Sequence, residues 1–188
     1  MTCDGTRCPR LSAPMRRYCR QDHHLYLACF GDQTIKVGTA SHPRRDRRVV
    51  EQGPLAAVRV ARAEGPIIKQ MERALSQGAF TETMRRSRKT ALLQGTMSPA
   101  DAEGLVRDAA RQLPELLPSR FHDALYPPHL VPQPALAVRS RALSVQPLQL
   151  EGDVVLEGEV VGAIGHVVFV EDGDGVFAVD LGDLKARV

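Results

Sequence analysis

Apolar and polar residues alternate from His24 to Phe30 (HLYLACF) with the two-residue period of an extended strand, and Gly31-Asp32 follows as a turn signal. The run Gln33 to Thr39 resumes the strand pattern, so the two together predict a hairpin. Alternation sorts Leu25, Leu27 and Cys29 to one face and His24, Tyr26, Ala28 and Phe30 to the other, which makes Cys29 a buried core thiol. Ser41-His42-Pro43 reads as a helix start, with Ser41 as the cap of an arginine-dense helix running to about Gln52-Gly53. A third strand is expected over Leu55 to Ala61. From Gly65-Pro66 onward, Ile67, Ile68, Met71 and Leu75 have helical spacing, which brings Glu72 onto or near the inner face.

A short helix is expected from Thr81 to about Leu93, and another opens at Ser98-Pro99, with a capping serine and a proline at the first helical position. Six prolines between residues 114 and 135 read as a stiff connector rather than a folded element. Val154 to Val188 alternates β-branched runs with Gly and Asp turns, the pattern of a small antiparallel meander. Residues 1–22 lack periodicity and read as a loop-rich segment that needs a staple. The fold class is therefore α/β in the wider α+β sense: a segment over 1–23, a small sheet flanked by helices over 24–113, the connector over 114–135, and a small β-domain over 136–188.

Charge divides this frame. Residues 1–95 hold 18 Lys and Arg against 8 Asp and Glu, whereas residues 96–188 hold 7 against 14. The first half is thus a candidate binder of nucleic acid or of a small anionic ligand, and the second half would repel both. A solvated arginine-rich helix face accounts for the same composition. No apolar run approaches the ~18 residues that span a bilayer, and the amino terminus, MTCDGTRCPRL, lacks the apolar stretch of a signal peptide. A cytoplasmic protein with no membrane partner is expected, and its cysteines are expected reduced, buried or metal-bound.

Two constellations carry chemistry. In the first, Cys3-x4-Cys8-x10-Cys19-x3-His23 supplies three thiolates and an imidazole, the donor set of a closed, structural zinc site that would staple the amino-terminal segment. His24 is the alternative fourth ligand. In the second, Tyr26 on the first strand and Lys36 on its partner project away from the apolar pairs beside them, where Arg48 and Glu72 can converge on them. A phenol, two cations and a carboxylate form a kit for phosphoryl chemistry: the cations neutralise developing charge, the carboxylate holds a divalent Mg or Mn ion, and the phenol moves a proton. Arg44, Arg45, Arg47 and Arg48, with Arg85, Arg86, Arg88 and Lys89, are candidates for tracking a phosphate backbone, and the turn after Gly38 could set backbone N–H groups on an anion.

The run Leu25-Tyr26-Leu27, then Lys36-Val37-Gly38-Thr39, then Arg48 to Gly53, then Met71-Glu72-Arg73 resembles the motif order of the GIY-YIG endonuclease superfamily. It also resembles an uncharacterised prokaryotic family close to that superfamily, which pairs upstream Cys and His residues with such a core and ends in a Gly-rich run similar to Gly162 to Phe169. The resemblance implies a GIY-YIG-like sheet, with Tyr26 and Gly38 on a hairpin, Arg48 as phosphate clamp and Glu72 as metal ligand. It implies a metal-dependent nuclease or phosphodiesterase acting on nucleic acid. Lys36 stands where the superfamily's second motif has tyrosine, and Leu25-Tyr26-Leu27 stands where it has Gly-Ile-Tyr. Two other outcomes therefore remain open: a module that binds nucleic acid without cleaving it, and an enzyme of the same fold redirected to a small anionic metabolite.

Overall fold

A computed structural model of the chain describes residues 12–93, 95–134, 136–137, 157–173 and 175–181, the side chains of Arg86, Ser87 and Thr90 excepted. It is a mixed α+β structure with a four-stranded antiparallel sheet, flanking helices and a separate three-stranded antiparallel sheet. No helix among the described residues is long and apolar enough to cross a membrane.

The hairpin forms as its alternation predicts: β1 (Asp22–Cys29) pairs with β2 (Ile35–Ser41), with Tyr26 opposite Gly38. β3 (Ala56–Glu64) pairs on the other side of β1 and runs past the expected end at Ala61. Being central, β1 is buried on both faces. Leu25, Leu27 and Cys29 face a core completed by α3 (Gly65–Ser76) and α5 (Pro99–Arg111), through Ile68, Met71 and Leu75 of the first and Ala102 and Val106 of the second. Tyr26, Ala28 and Phe30 face a smaller cluster with Val49, reinforced by Met84 and Leu92. Ser98 caps α5 as expected, its Oγ accepting the Asp101 amide N–H at 3.1 Å.

Several expectations need correction. The amino-terminal segment is not loop throughout, because α1 (Ala13–Arg20) starts at Ser12 with Pro14 in its first turn. It buries no residue, so it left no apolar stripe to read. The arginine-dense helix is broken into a 3₁₀ turn (His42–Arg44) and a single turn, α2 (Arg47–Val50), and Ser41 makes no side-chain cap bond. Gly53, at φ +66°, ends this segment. The helix expected from Thr81 begins only at α4 (Arg86–Leu92), since Thr81 instead bonds the edge of β2 beside Lys36, donating to Ile35 and accepting from Val37.

The proline-rich connector is also folded. It contains α6 (Leu113–Leu116), a 3₁₀ turn (Ser119–Ala124) with Phe121 buried, and β4 (Leu125–Leu130), the fourth strand of the main sheet. Proline suits β4 because the strand lies at the sheet edge and its pairing with β3 shifts register across Pro127 and Pro128, which have no N–H to donate. The carboxy-terminal meander is as predicted: β5 (Glu159–Ile164), β6 (Val167–Asp172) and β7 (Gly175–Asp180) pair in sequence.

The β5–β6 turn rests on the amino-terminal part through two glycines. Gly53 at φ +66° lies against Ile164 and the Gly165 amide, and Gly165 at φ +63° lies against the Gln52 carbonyl. A β-branched residue at Gly53 would combine an unfavourable backbone conformation with a collision. Gly53→Val should therefore lower stability by about 2 kcal/mol, with a smaller loss for Gly53→Ala, as read from urea denaturation midpoints. A wild-type midpoint in the valine variant would show that this close approach is not a constraint.

Candidate active site

Tyr26 is the centre of the site. It is 2% exposed, and its ring crosses the neighbouring strand at Gly38, where any Cβ would strike the hydroxyl. Gly38 is therefore a packing requirement of Tyr26, and the ring fills the space that the substrate-binding expectation left for a ligand. The Gln52 amide donates to the Tyr26 hydroxyl at 2.5 Å and to the Arg48 carbonyl at 3.1 Å. That leaves the phenol's own proton free to be donated elsewhere. Burial raises the Tyr26 pKa, opposed by the Gln52 bond and Arg48 and assisted by Glu72. At neutral pH Tyr26 is thus a phenol, suited to giving a proton rather than taking one.

Lys36, 9% exposed, holds its ammonium 5.7 Å from the centre of the Tyr26 ring. Burial lowers its pKa, partly offset by the Glu72 charge and reinforced by Arg48. Glu72, 4% exposed, is reached by Lys69, which bonds it directly and also bonds Glu82 at 2.8 Å. Burial raises the Glu72 pKa, while Lys69 and Lys36 pull it down. Arg48 is exposed on α2. Tyr26, Lys36, Arg48 and Glu72, expected to converge from four separate elements, thus share one electrostatic neighbourhood.

The remaining arginines behave differently. Arg44 and Arg47 both pair with Glu51 at the surface. Arg85 is exposed ahead of α4, and the Arg86 side chain lies outside the described residues. Lys89, on the same helix, belongs to the basic run expected to track a phosphate backbone, but its place on the Tyr26 face was not foreseen: its ammonium sits 4.3 Å over the Phe30 ring, and its pKa is pushed down to about 8 by burial and then by Lys36 and Arg48. The alternation that put Phe30 on the Tyr26 face was the available signal. Gln52, Lys69 and Glu82 were also missed.

A second constellation lies two residues along β1. His24, 5% exposed, contacts the Tyr126 hydroxyl through Nδ1 at 3.0 Å and His42 Nδ1 through Nε2 at 2.9 Å. Arg45, which can only donate, approaches His42 Nε2 at 3.4 Å. This fixes the order: His42 donates from Nδ1 to His24, and His24 donates from Nδ1 to Tyr126. Arg59 and Asp46 lie 3.3 Å apart beside this row, yet Arg59 Nε and Asp46 Oδ1 make no aligned hydrogen bond, so they meet as charges only. Burial, then the charges of Arg59, His42, Arg62 and Arg45, push the His24 pKa down to about 4.

Both nitrogens of His24 are engaged, which argues against it as a metal ligand. His23 donates Nδ1 to the Gln21 carbonyl at 2.9 Å and so keeps a lone pair on Nε2. Its ring and the Cys19 carbonyl pack on Gly65, where a Cβ would meet both. Cys3 and Cys8 lie outside the described residues, and among those described there is no group of three or more metal-ligating side chains.

A histidine in an unfolded chain ionises near 6.5, whereas folded His24 stays neutral to about 4. Its contribution is complete above pH ~6.5 and is lost as pH falls toward ~4, because only the unfolded state takes up the proton. Between about pH 7 and pH 5 the wild type should lose about 2 kcal/mol more stability than His24→Gln, measured by urea denaturation at each pH. Parallel losses in the two proteins would exclude His24 as the source.

No curated protein and no solved structure matches the chain. The family described as "Protein of unknown function (DUF2797)" matches residues 4–182, and the chain belongs to that family.

Proposed function

We propose that this chain is a GIY-YIG-like phosphodiesterase acting on nucleic acid, with Tyr26, Lys36, Arg48 and Glu72 as its reacting set. The observation that carries the reading is the convergence of these groups around a buried phenol that still has a proton to give. Arg48, exposed and beside Tyr26, holds a phosphate oxygen. The Lys36 ammonium counters charge that builds on phosphorus as water attacks. The water oxygen bonds phosphorus as the ester P–O bond breaks, the leaving oxygen takes the Tyr26 proton while Gln52 holds the phenol in place, and the proton released by the attacking water, through solvent, restores the phenol.

Glu72 would hold Mg or Mn. The donor set fits a hard ion that takes one protein carboxylate and completes its shell with water and phosphate oxygens. Lys69, already bonded to Glu72 and Glu82, marks the position as one that stabilises positive charge. When bound, the ion would supply Lewis-acid neutralisation of the phosphate.

With Mg²⁺ or Mn²⁺ present, plasmid, single-stranded DNA or RNA should be cleaved by the wild type, and Glu72→Ala should lose at least ~100-fold of the rate. Salt-dependent binding without turnover, equal in both proteins, would favour a non-catalytic nucleic-acid module instead. The absence of both binding and cleavage would turn the search to small anionic metabolites.

We also propose a structural zinc held by Cys3, Cys8, Cys19 and His23. The Nε2 lone pair that His23 keeps, with its ring packed beside the Cys19 backbone on Gly65, supports it. Native mass spectrometry should find one zinc per chain in the wild type and none in Cys19→Ser; a metal-free wild type purified without chelator would overturn it.

A further inference from the structure

Cations are numerous in this protein, and many around the main sheet have a carboxylate. Arg44 and Arg47 share Glu51, Arg45 and Arg59 meet Asp46, Arg62 meets Asp22, Lys69 bridges Glu72 and Glu82, and Arg88 meets Asp32. Among the described residues of the basic half, Lys36, Arg48 and Lys89 have no carboxylate at ion-pair distance, Lys36 and Lys89 lie against the Tyr26 and Phe30 rings of one sheet face, and Lys36 and Arg48 both act on Lys89. They arrive from β2, α2 and α4, and those elements are fixed relative to one another by packing on the Tyr26–Phe30 face.

This arrangement is costly unless something answers it. Lys36 is withdrawn from water, and Lys89 is half-buried with its ammonium over Phe30. Burying an ammonium without a counter-charge is unfavourable, and an aromatic face recovers only part of the loss. The three also repel one another, as the effect of Lys36 and Arg48 on Lys89 records. Glu72, the acid that acts most strongly on Lys36, is already bonded to Lys69.

We propose that Lys36, Arg48 and Lys89 form one recognition site for a terminal phosphomonoester, with Lys89 as a substrate-contacting residue. An internal phosphodiester carries a single negative charge, whereas a phosphomonoester approaches two above pH ~6 and presents three acceptor oxygens. Three fixed cations match the second better than the first. The Tyr26 hydroxyl adds a neutral donor on the same face. This deepens the reading of the surface as a phosphate site and rests on it. It narrows the substrate to the phosphorylated end of a linear nucleic acid rather than a closed circle, with Lys36 and Arg48 serving both the terminal phosphate and the adjoining diester, whose cleavage would release the end nucleotide.

The test uses the full chain and two probes, inorganic phosphate and a short single-stranded oligonucleotide carrying a 5′-phosphate, a 3′-phosphate or no terminal phosphate. Lysine ¹³C NMR, with the Lys89 signal assigned through Lys89→Arg, follows its titration. In about 10 mM phosphate, enough to occupy a millimolar site, the Lys89 midpoint should rise above its starting value near 8. One phosphorylated oligonucleotide should bind about tenfold or more tightly than the unphosphorylated one, an advantage kept by Lys89→Arg and lost in Lys89→Gln.

An unmoved Lys89 midpoint in phosphate, or equal affinity for all three oligonucleotides, would overturn the proposal. Failure of the cleavage reading is distinguishable. Phosphate binding that persists in Glu72→Ala, with no turnover in the wild type, sinks the nuclease and leaves the terminal-phosphate site standing. A wild-type urea midpoint in Lys89→Gln would attribute lost binding to the charge; if that variant unfolds, the Lys89 titration in the wild type decides.

Discussion

Because Gly38 has no side chain, the Tyr26 ring can lie across β2 and reach Gln52, and the geometry of the candidate site depends on that crossing. β1 is buried on both faces, so Tyr26 cannot turn outward without exposing the Ala28–Phe30 cluster beside it. The phenol is fixed by packing and its hydroxyl by Gln52. Arg48 is then located one helical turn before Gln52, whose amide also bonds the Arg48 carbonyl. A glycine on one strand thus sets where a cation on another element stands, through a ring and an amide.

Electrostatics divides the same sheet face into two states. Around Tyr26 the cations Lys36, Arg48 and Lys89 lack ion-pair partners among the described residues, and burial makes the lysines easier to deprotonate. Two residues along β1, the charges of Arg45, Arg59 and Arg62 are associated with Asp46 or Asp22, and the buried histidine between them is neutral. The second region satisfies its charges internally. The first leaves its positive potential uncompensated by the described carboxylates, and this difference, rather than the total number of arginines, is what the proposed phosphate site rests on.

Much of this was legible in the sequence where the signal was periodic. Alternation over residues 24–30 assigned both faces of β1, and helical spacing after Gly65 put Glu72 on the inner side of α3. Where burial left no period, sequence failed: α1 buries nothing, and α2 is a single turn interrupted by Pro43 upstream and Gly53 downstream. Prolines suggested a connector because their meaning depends on strand order, which is a tertiary property; at an edge they are tolerated. The His24–His42–Tyr126 row joins residues 18 and 102 positions apart, a separation no local pattern encodes.

These elements also explain how a short, irregular segment can hold an arginine in a fixed place. Residues 42–52 contain only a 3₁₀ turn and one turn of α2, too little helix to be stable alone. The segment is nevertheless pinned to β1 at both ends, by His42 to His24 and by Gln52 to Tyr26, with Val49 buried between them. Both anchors land on the same face of the most buried strand, two residues apart. Arg48 therefore projects from a span held at each end by the rigid centre of the sheet, and its position is set by two side-chain bonds and one apolar contact rather than by helix propensity.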